Sequence, residues 1–221
     1  MVKQLKEAVV QRESLALLYV VAVLCIVGYH RALGLLPPEL RGIERRLTQG
    51  VLFLVPTALF ALVVLGENPL RLGLRPGDVR AGAAMAAVFA VFMAGAVLAA
   101  ARLDSSLAAH YPVYKGAAAG HGLFVAYAAA NVFYMFGWEY LFRGFLLFAL
   151  AKRFGSVAIV VQTVPFALAH VGKPQLEAFA SILAGLALGA LALRARSMWP
   201  CFAVHAFTAV WMDACVVYVW A

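Results

Sequence analysis

Gly137-Trp138-Glu139-Tyr140-Leu141-Phe142-Arg143-Gly144 lies inside an apolar run, 121–150, that is too long for one simple membrane span. Glu139 and Arg143 are four residues apart, so a helix places them one turn apart on one face. Charged side chains at that depth are costly against lipid, and they should turn to the protein interior and pair. The stretch therefore predicts a long or broken helix entering the middle of a bundle. Taken alone, the two residues fit a structural ion pair as well as part of a reacting site.

The rest of the chain supplies the setting. It has 221 residues, 65% hydrophobic and 13% charged, with mean hydropathy +0.92. Soluble domains carry about 25% charged residues, so this is an integral membrane composition. The net charge of +8 is distributed between apolar runs. It fits loops facing anionic lipid rather than a nucleic-acid surface, for which a basic stripe with interleaved aromatics would be expected. No nucleic-acid partner is expected. Cys25, Cys201 and Cys215 are an odd set without a close pair, and they read as small core residues rather than a disulfide framework or metal site. Lys3, Lys6 and Arg12 precede the first apolar run without a small-residue cleavage site, which reads as an uncleaved first span.

Working outward, spans are expected at about 14–36, 47–65, 81–101, 121–150, 156–170, 176–193 and 198–220. A basic loop at 41–46, an interfacial connection at 66–80 and a polar connection at 102–120 separate the early ones. The third span is rich in Ala and Gly, and Ser181, Gly185 and Gly189 repeat small residues in the sixth; both patterns favour close helix contact. Pro165 should bend its span or free a carbonyl. The fold expected is all-α: a polytopic bundle of about seven transmembrane helices, one integral membrane domain over residues 1–221, with 121–213 carrying the chemistry. The Lys and Arg of the loops lean weakly toward a cytoplasmic N-terminus.

Glu139, Arg143, His170, His205 and Asp213 are the ionisable residues left within the later spans, and each is a functional candidate. One Glu with two His supports water activation, with the carboxylate taking a proton while imidazoles orient the water and stabilise an oxyanion. Glu139, His170 and His205 are also ordinary zinc ligands, although no HExxH helix is present. Zinc is thus an alternative cofactor, and none is required. His30, His110 and His121 fall near span ends and read as interfacial.

GWEYLFRG, then Phe166 to His170 (FALAH), then His205 in the last span resemble the three motifs of the CPBP family, usually written EExxxR, FxxxH and HxxxN. This family includes the CAAX prenyl endopeptidases and bacterial abortive infection proteins. The resemblance covers roughly residue 66 to the C-terminus, including LGLRPGDVR. It implies a bundle of seven or eight membrane helices and an intramembrane endopeptidase working by a metal or by glutamate-activated water. Two positions depart from the pattern. Trp138 stands where the family has its first Glu, and Ala209 replaces the Asn of the third motif, with Asp213 one further turn along as a substitute. A branch with WE in place of EE and an HxGKPxxE stretch is similar to His170 to Glu177 here, which adds Glu177 as a second candidate base.

The roles implied are Glu139 as base, His170 holding the water or protonating the leaving amine, His205 with Asp213 stabilising the oxyanion, Arg143 positioning Glu139, and Phe166 packing the helix of His170. The expected partner is a membrane-anchored protein or peptide, processed at a C-terminal or sorting-type signal, with the lipid bilayer around it. The composition points to a bacterial inner membrane. Two other readings stand: an inactive family member serving as a membrane scaffold, with Trp138 filling the cavity, and a proton-coupled transporter, for which no internal repeat is evident.

Overall fold

The computed structural model describes residues 11–220, all of whose regular structure is helical. Helix α1 is Arg12–Tyr29, α2 Arg41–Val63, α3 Val79–Leu103, α4 the short Ser106–His110, α5 His121–Glu139, α6 Leu147–Phe154, α7 Val157–Leu168, α8 Gln175–Ala195 and α9 Trp199–Tyr218. Between α5 and α6 the chain continues as a π-helical segment, Tyr140–Leu146, so that 121–154 is one rod with a changed pitch in its middle. Lys3 and Lys6 lie outside the described residues.

The expected bundle of seven rods is present. Five helices, α1, α2 with its lead-in from Pro38, α3, α8 and α9, are long and apolar enough to cross a membrane. The 121–154 rod is interrupted by the π segment, and α7 has 12 residues. At about 1.5 Å per residue α7 covers only about 18 Å, short of a bilayer core of about 30 Å. The turn after α7 turns His170 inward, where it is 3% exposed, while Val171 next to it is 75% exposed.

Two local expectations change. Residues 41–46 are the first turns of α2 and not a loop, because the Pro37-Pro38 break starts a short helical lead-in that runs directly into Arg41. The guanidinium of Arg46 consequently lies 4.4 Å from the centre of the Tyr134 ring on α5. Helix α3 is the least buried span, with 6% of its apolar window inside the protein, but its small residues admit neighbours as expected: a Cβ on Gly82 would lie 3.3 Å from Pro200, and Trp211 Nε1 donates to the Ala94 carbonyl at 3.1 Å. Cys25 is exposed on α1, whereas Cys201 and Cys215 are buried, and none forms a disulfide.

The small-residue pattern of α8 does what its spacing predicts. A Cβ on Gly185 would meet Thr163 Cγ2 at 2.6 Å, so α7 and α8 touch through backbone at this level. Gln162 Nε2 uses the closeness to donate to the Gly185 carbonyl at 2.9 Å. Alternation of the rods places the 64–78 and 196–198 connections on one face of the bundle and 30–40, 104–120 and 169–174 on the other. Helices α2 and α5 run side by side in the same direction from the 104–120 face, and α9 runs back against α5.

Candidate active site

Glu139 is the last α-helical residue before the pitch changes, and π segments of this kind are frequent at functional sites. Its side chain and that of Arg143 are both 0% exposed. Arg143 Nη1 donates to Glu139 Oε1 at 3.0 Å. On α9, His205 Nδ1 lies 2.5 Å from the same oxygen. A carboxylate paired with Arg can only accept, so Nδ1 carries the hydrogen and Nε2 is the free nitrogen of His205. Glu139 Oε2 is buried and has no hydrogen-bond partner among the described residues. The carboxylate is therefore anchored by one oxygen and open at the other.

The remaining donors of Arg143 are handled by aromatic contact. Its guanidinium carbon sits 3.8 Å from the Phe166 ring centre, while Nε and Nη2 lack hydrogen-bond partners among the described residues. A desolvated cation over a ring gains about 2 kcal/mol, which partly offsets the missing bonds. Phe166 thus does more than pack α7: it bridges Arg143 to His170, whose ring is 4.6 Å away, and to His205 at 6.1 Å. His170 Nδ1 is 2.8 Å from the Phe166 carbonyl, which can only accept, so His170 also carries its hydrogen on Nδ1.

Glu139, Arg143, Phe166, His170 and His205 are therefore brought together, from the π-interrupted rod, the end of α7 and the middle of α9. Trp138 completes the wall. It is 6% exposed and its ring packs against Phe53, Tyr134, Phe142, Phe166 and His170, with centroids 5.0 to 6.0 Å away. Its Nε1 has no partner.

Two expected supporting residues lie elsewhere. Asp213 does not hold His205: its Oδ2 accepts from Asn131 Nδ2 at 3.2 Å, two turns along α9, because His205 Nδ1 is already committed to Glu139. Glu177, at the start of α8, accepts from Tyr111 Oη at 2.7 Å and from Lys173 Nζ at 2.7 Å near the 104–120 face. His30 and His121 lie at helix ends, bonding Thr48 at 2.7 Å and Tyr218 at 3.3 Å, and His110 is partly buried beside Tyr111.

The donor set does not gather as metal ligands. Among the described residues no three His, Cys, Asp or Glu side chains are placed to share an ion. Glu139 and His205 bond each other, and His170 directs Nδ1 to backbone. The arrangement is a hydrogen-bonded carboxylate and imidazole pair, and it does not fit zinc as it stands.

The family model described as type II CAAX prenyl endopeptidase Rce1-like matches residues 120–211. This part of the chain is Rce1-like. The Rce1-like stretch begins at the foot of α5, contains Trp138, Glu139, Arg143, Phe166, His170, Glu177 and His205, and ends two residues short of Asp213. The match covers less than half of the chain and supports its resemblance to the CPBP and CAAX proteases. No curated protein and no solved structure matches the chain.

Asn131 is the polar residue of this region that sequence reasoning passed over. The signal was available, since Asn131 is an amide inside the same apolar run, eight residues before Glu139. Arg46 was obscured differently, by its assignment to a loop.

Proposed function

We propose that the chain is an intramembrane endopeptidase in which Glu139 activates water against a peptide bond of a membrane-anchored substrate. The observation that carries the reading is the asymmetry of the Glu139 carboxylate: Oε1 is held by Arg143 and His205, and Oε2 is free in a water-poor interior. A base needs one oriented, unengaged oxygen, and that is what this pairing supplies. Oε2 takes a proton as the water oxygen bonds to the carbonyl carbon. The proton taken by Glu139 passes through His170 Nε2 to the amide nitrogen, the C–N bond breaks, and a carboxylic acid and an amine leave while Glu139 returns to its ionised form. His205, held through Nδ1, presents Nε2 to the developing oxyanion when protonated. Arg143 and Phe166 fix the pair in place. Processing near a substrate's C-terminus or sorting signal is the substrate class in keeping with the resemblance. Substrate and bilayer are the expected partners, and a bacterial inner membrane is the proposed location.

The test is cleavage of co-expressed membrane-anchored candidate substrates by wild type, Glu139→Gln, His170→Ala and His205→Ala, with membrane levels of each protein measured. Loss of product in all three, unaffected by a chelator in the wild type, is the expected result. Cleavage that survives Glu139→Gln overturns the assignment.

The scaffold reading is favoured by one observation, the Trp138 ring packed among five others where the family pattern has a Glu. It predicts a folded wild type that yields no product from any substrate tested.

A further inference from the structure

Glu139 is fully buried, and hydrolysis consumes one water per turnover, so the site must open on one face of the bundle. Toward the 64–78 face the π segment is sealed, although the His205 side chain on α9 keeps 16% exposure. Leu141, Phe142, Phe145 and Leu146 have no exposure, and Leu72 of the loop is buried over them. A Cβ on Gly144 would lie 2.9 Å from the Leu72 carbonyl, so the loop backbone rests directly on the π segment. Three hydrogen bonds fasten it there: Met198 N–H to the Gly73 carbonyl at 2.9 Å, Asp78 N–H to the Ala195 carbonyl at 2.8 Å, and Trp199 Nε1 to the Leu74 carbonyl at 2.8 Å.

Toward the 104–120 face the interior is polar and incompletely bonded. Asn131 and Asp213 each stand eight residues from Glu139 and His205, about 12 Å by helical rise. They bond each other through Nδ2 and Oδ2, but among the described residues Asn131 Oδ1 and Asp213 Oδ1 are buried without a hydrogen-bond partner, and the buried Tyr127 hydroxyl has only a loose contact with the Arg46 guanidinium. The three residues are 3%, 1% and 1% exposed. Each unsatisfied buried polar atom costs about 1–3 kcal/mol, and internal water is the usual satisfier. These three atoms close together give bound water the several polar partners it needs. Tyr127 is one turn before Asn131 on the same face of α5. Arg46 is near enough to Tyr127 and Asp213 to act on both electrostatically. Between this cluster and Glu139 stand Met135, flexible and unbranched, and Ala209, whose methyl leaves room. The other buried orphans outside the site, Tyr140 Oη and Gln162 Oε1, are single atoms, the latter in the α7–α8 seam.

We propose that Tyr127, Asn131 and Asp213 line a water-holding antechamber through which the site opens to the 104–120 face, and that the antechamber supplies the hydrolytic water to Glu139. The supply role rests on the hydrolase reading; the accessibility does not.

Single cysteines at Asn131, Tyr127, Phe145 and Ala118, in a background with Cys25, Cys201 and Cys215 replaced, are exposed in purified full-length protein to a charged, water-soluble thiol reagent. Buried thiols are inert, so Asn131→Cys and Tyr127→Cys should react at least about tenfold faster than Phe145→Cys, with Ala118→Cys marking the exposed limit. Asn131→Cys and Tyr127→Cys both as slow as Phe145→Cys overturns the antechamber. For the supply role, Ala209→Leu narrows the passage. Cleavage reduced about tenfold, with Asn131→Cys labelling retained, is expected if bulk there blocks water. Unchanged cleavage overturns the supply role and leaves the labelling result standing.

Discussion

Arg143 and Glu139 are worth more to each other than either is to the protein. Both are wholly buried, so removing one strands the other charge in the core, at about 3–5 kcal/mol. Arg143→Met should therefore lower the thermal midpoint of the detergent-solubilised protein sharply, while the double variant Arg143→Met with Glu139→Gln should recover much of the loss and remain without cleavage. Additive losses in that double-mutant cycle would show that the two side chains are not coupled. Asp213 offers a second residue-scale prediction. Because it bonds Asn131 and not His205, Asp213→Asn should keep the pH profile of cleavage, whereas a residue orienting His205 would shift it. The Glu139 and Arg143 pairing was legible in the sequence because four-residue spacing is a property of any helix. The partner of Asp213 was not, since Asn131 is 82 residues away and only the antiparallel run of α5 and α9 makes them neighbours.

At the scale of elements, His170 depends on how closely α7 meets α8. Thr163 fills the notch above Gly185, and a side chain there has to push α7 outward. Gly185→Leu is expected to destabilise by about 1–3 kcal/mol through overpacking. It should also reduce cleavage more than its stability loss explains, because Phe166 and His170 ride on the displaced helix; comparing activity at matched folded fraction checks this. The glycine spacing of α8 announced the contact in advance. The π segment did not announce itself: Tyr140–Leu146 contains neither Pro nor a Gly pair to mark a change of pitch, and its wider turn is tied to the packing of Leu72 and Gly73 against Gly144. The short α7 was also visible as a short apolar run, but the inward turn of His170 after it is a matter of packing within the bundle.

Across the whole molecule, the 64–78 loop holds α8, α9 and the π segment to one face. Asp78 is its electrostatic fastening. The Ala81 backbone N–H it caps holds its carboxyl below the ordinary range against the opposing effect of burial, with smaller help from Arg194 at 3.3 Å. A depressed folded-state value means that the contribution is fully present above the unfolded value of about 3.9 and is lost as pH falls through the lower folded one. The thermal midpoint should thus be insensitive to this group from neutral pH down to that range and fall below it. Asp78→Asn should flatten that acid limb, and an unaltered limb would remove Asp78 from the role.

The sequence by itself determined the membrane setting, the all-helical bundle, the Glu139 and Arg143 pair, and the resemblance to three protease motifs, because apolar run length, four-residue spacing and local motif order are properties of contiguous chain. Only the tertiary structure decided that His205 shares an oxygen of Glu139 with Arg143, that Arg46 belongs to a helix, and that Asp213 and Glu177 stand apart from Glu139. Those facts depend on the depth and direction at which distant helices cross, which hydropathy does not encode. They are set instead by where backbones can touch, at Gly144 against Leu72 and Gly185 against Thr163, and by which buried polar atoms find partners there.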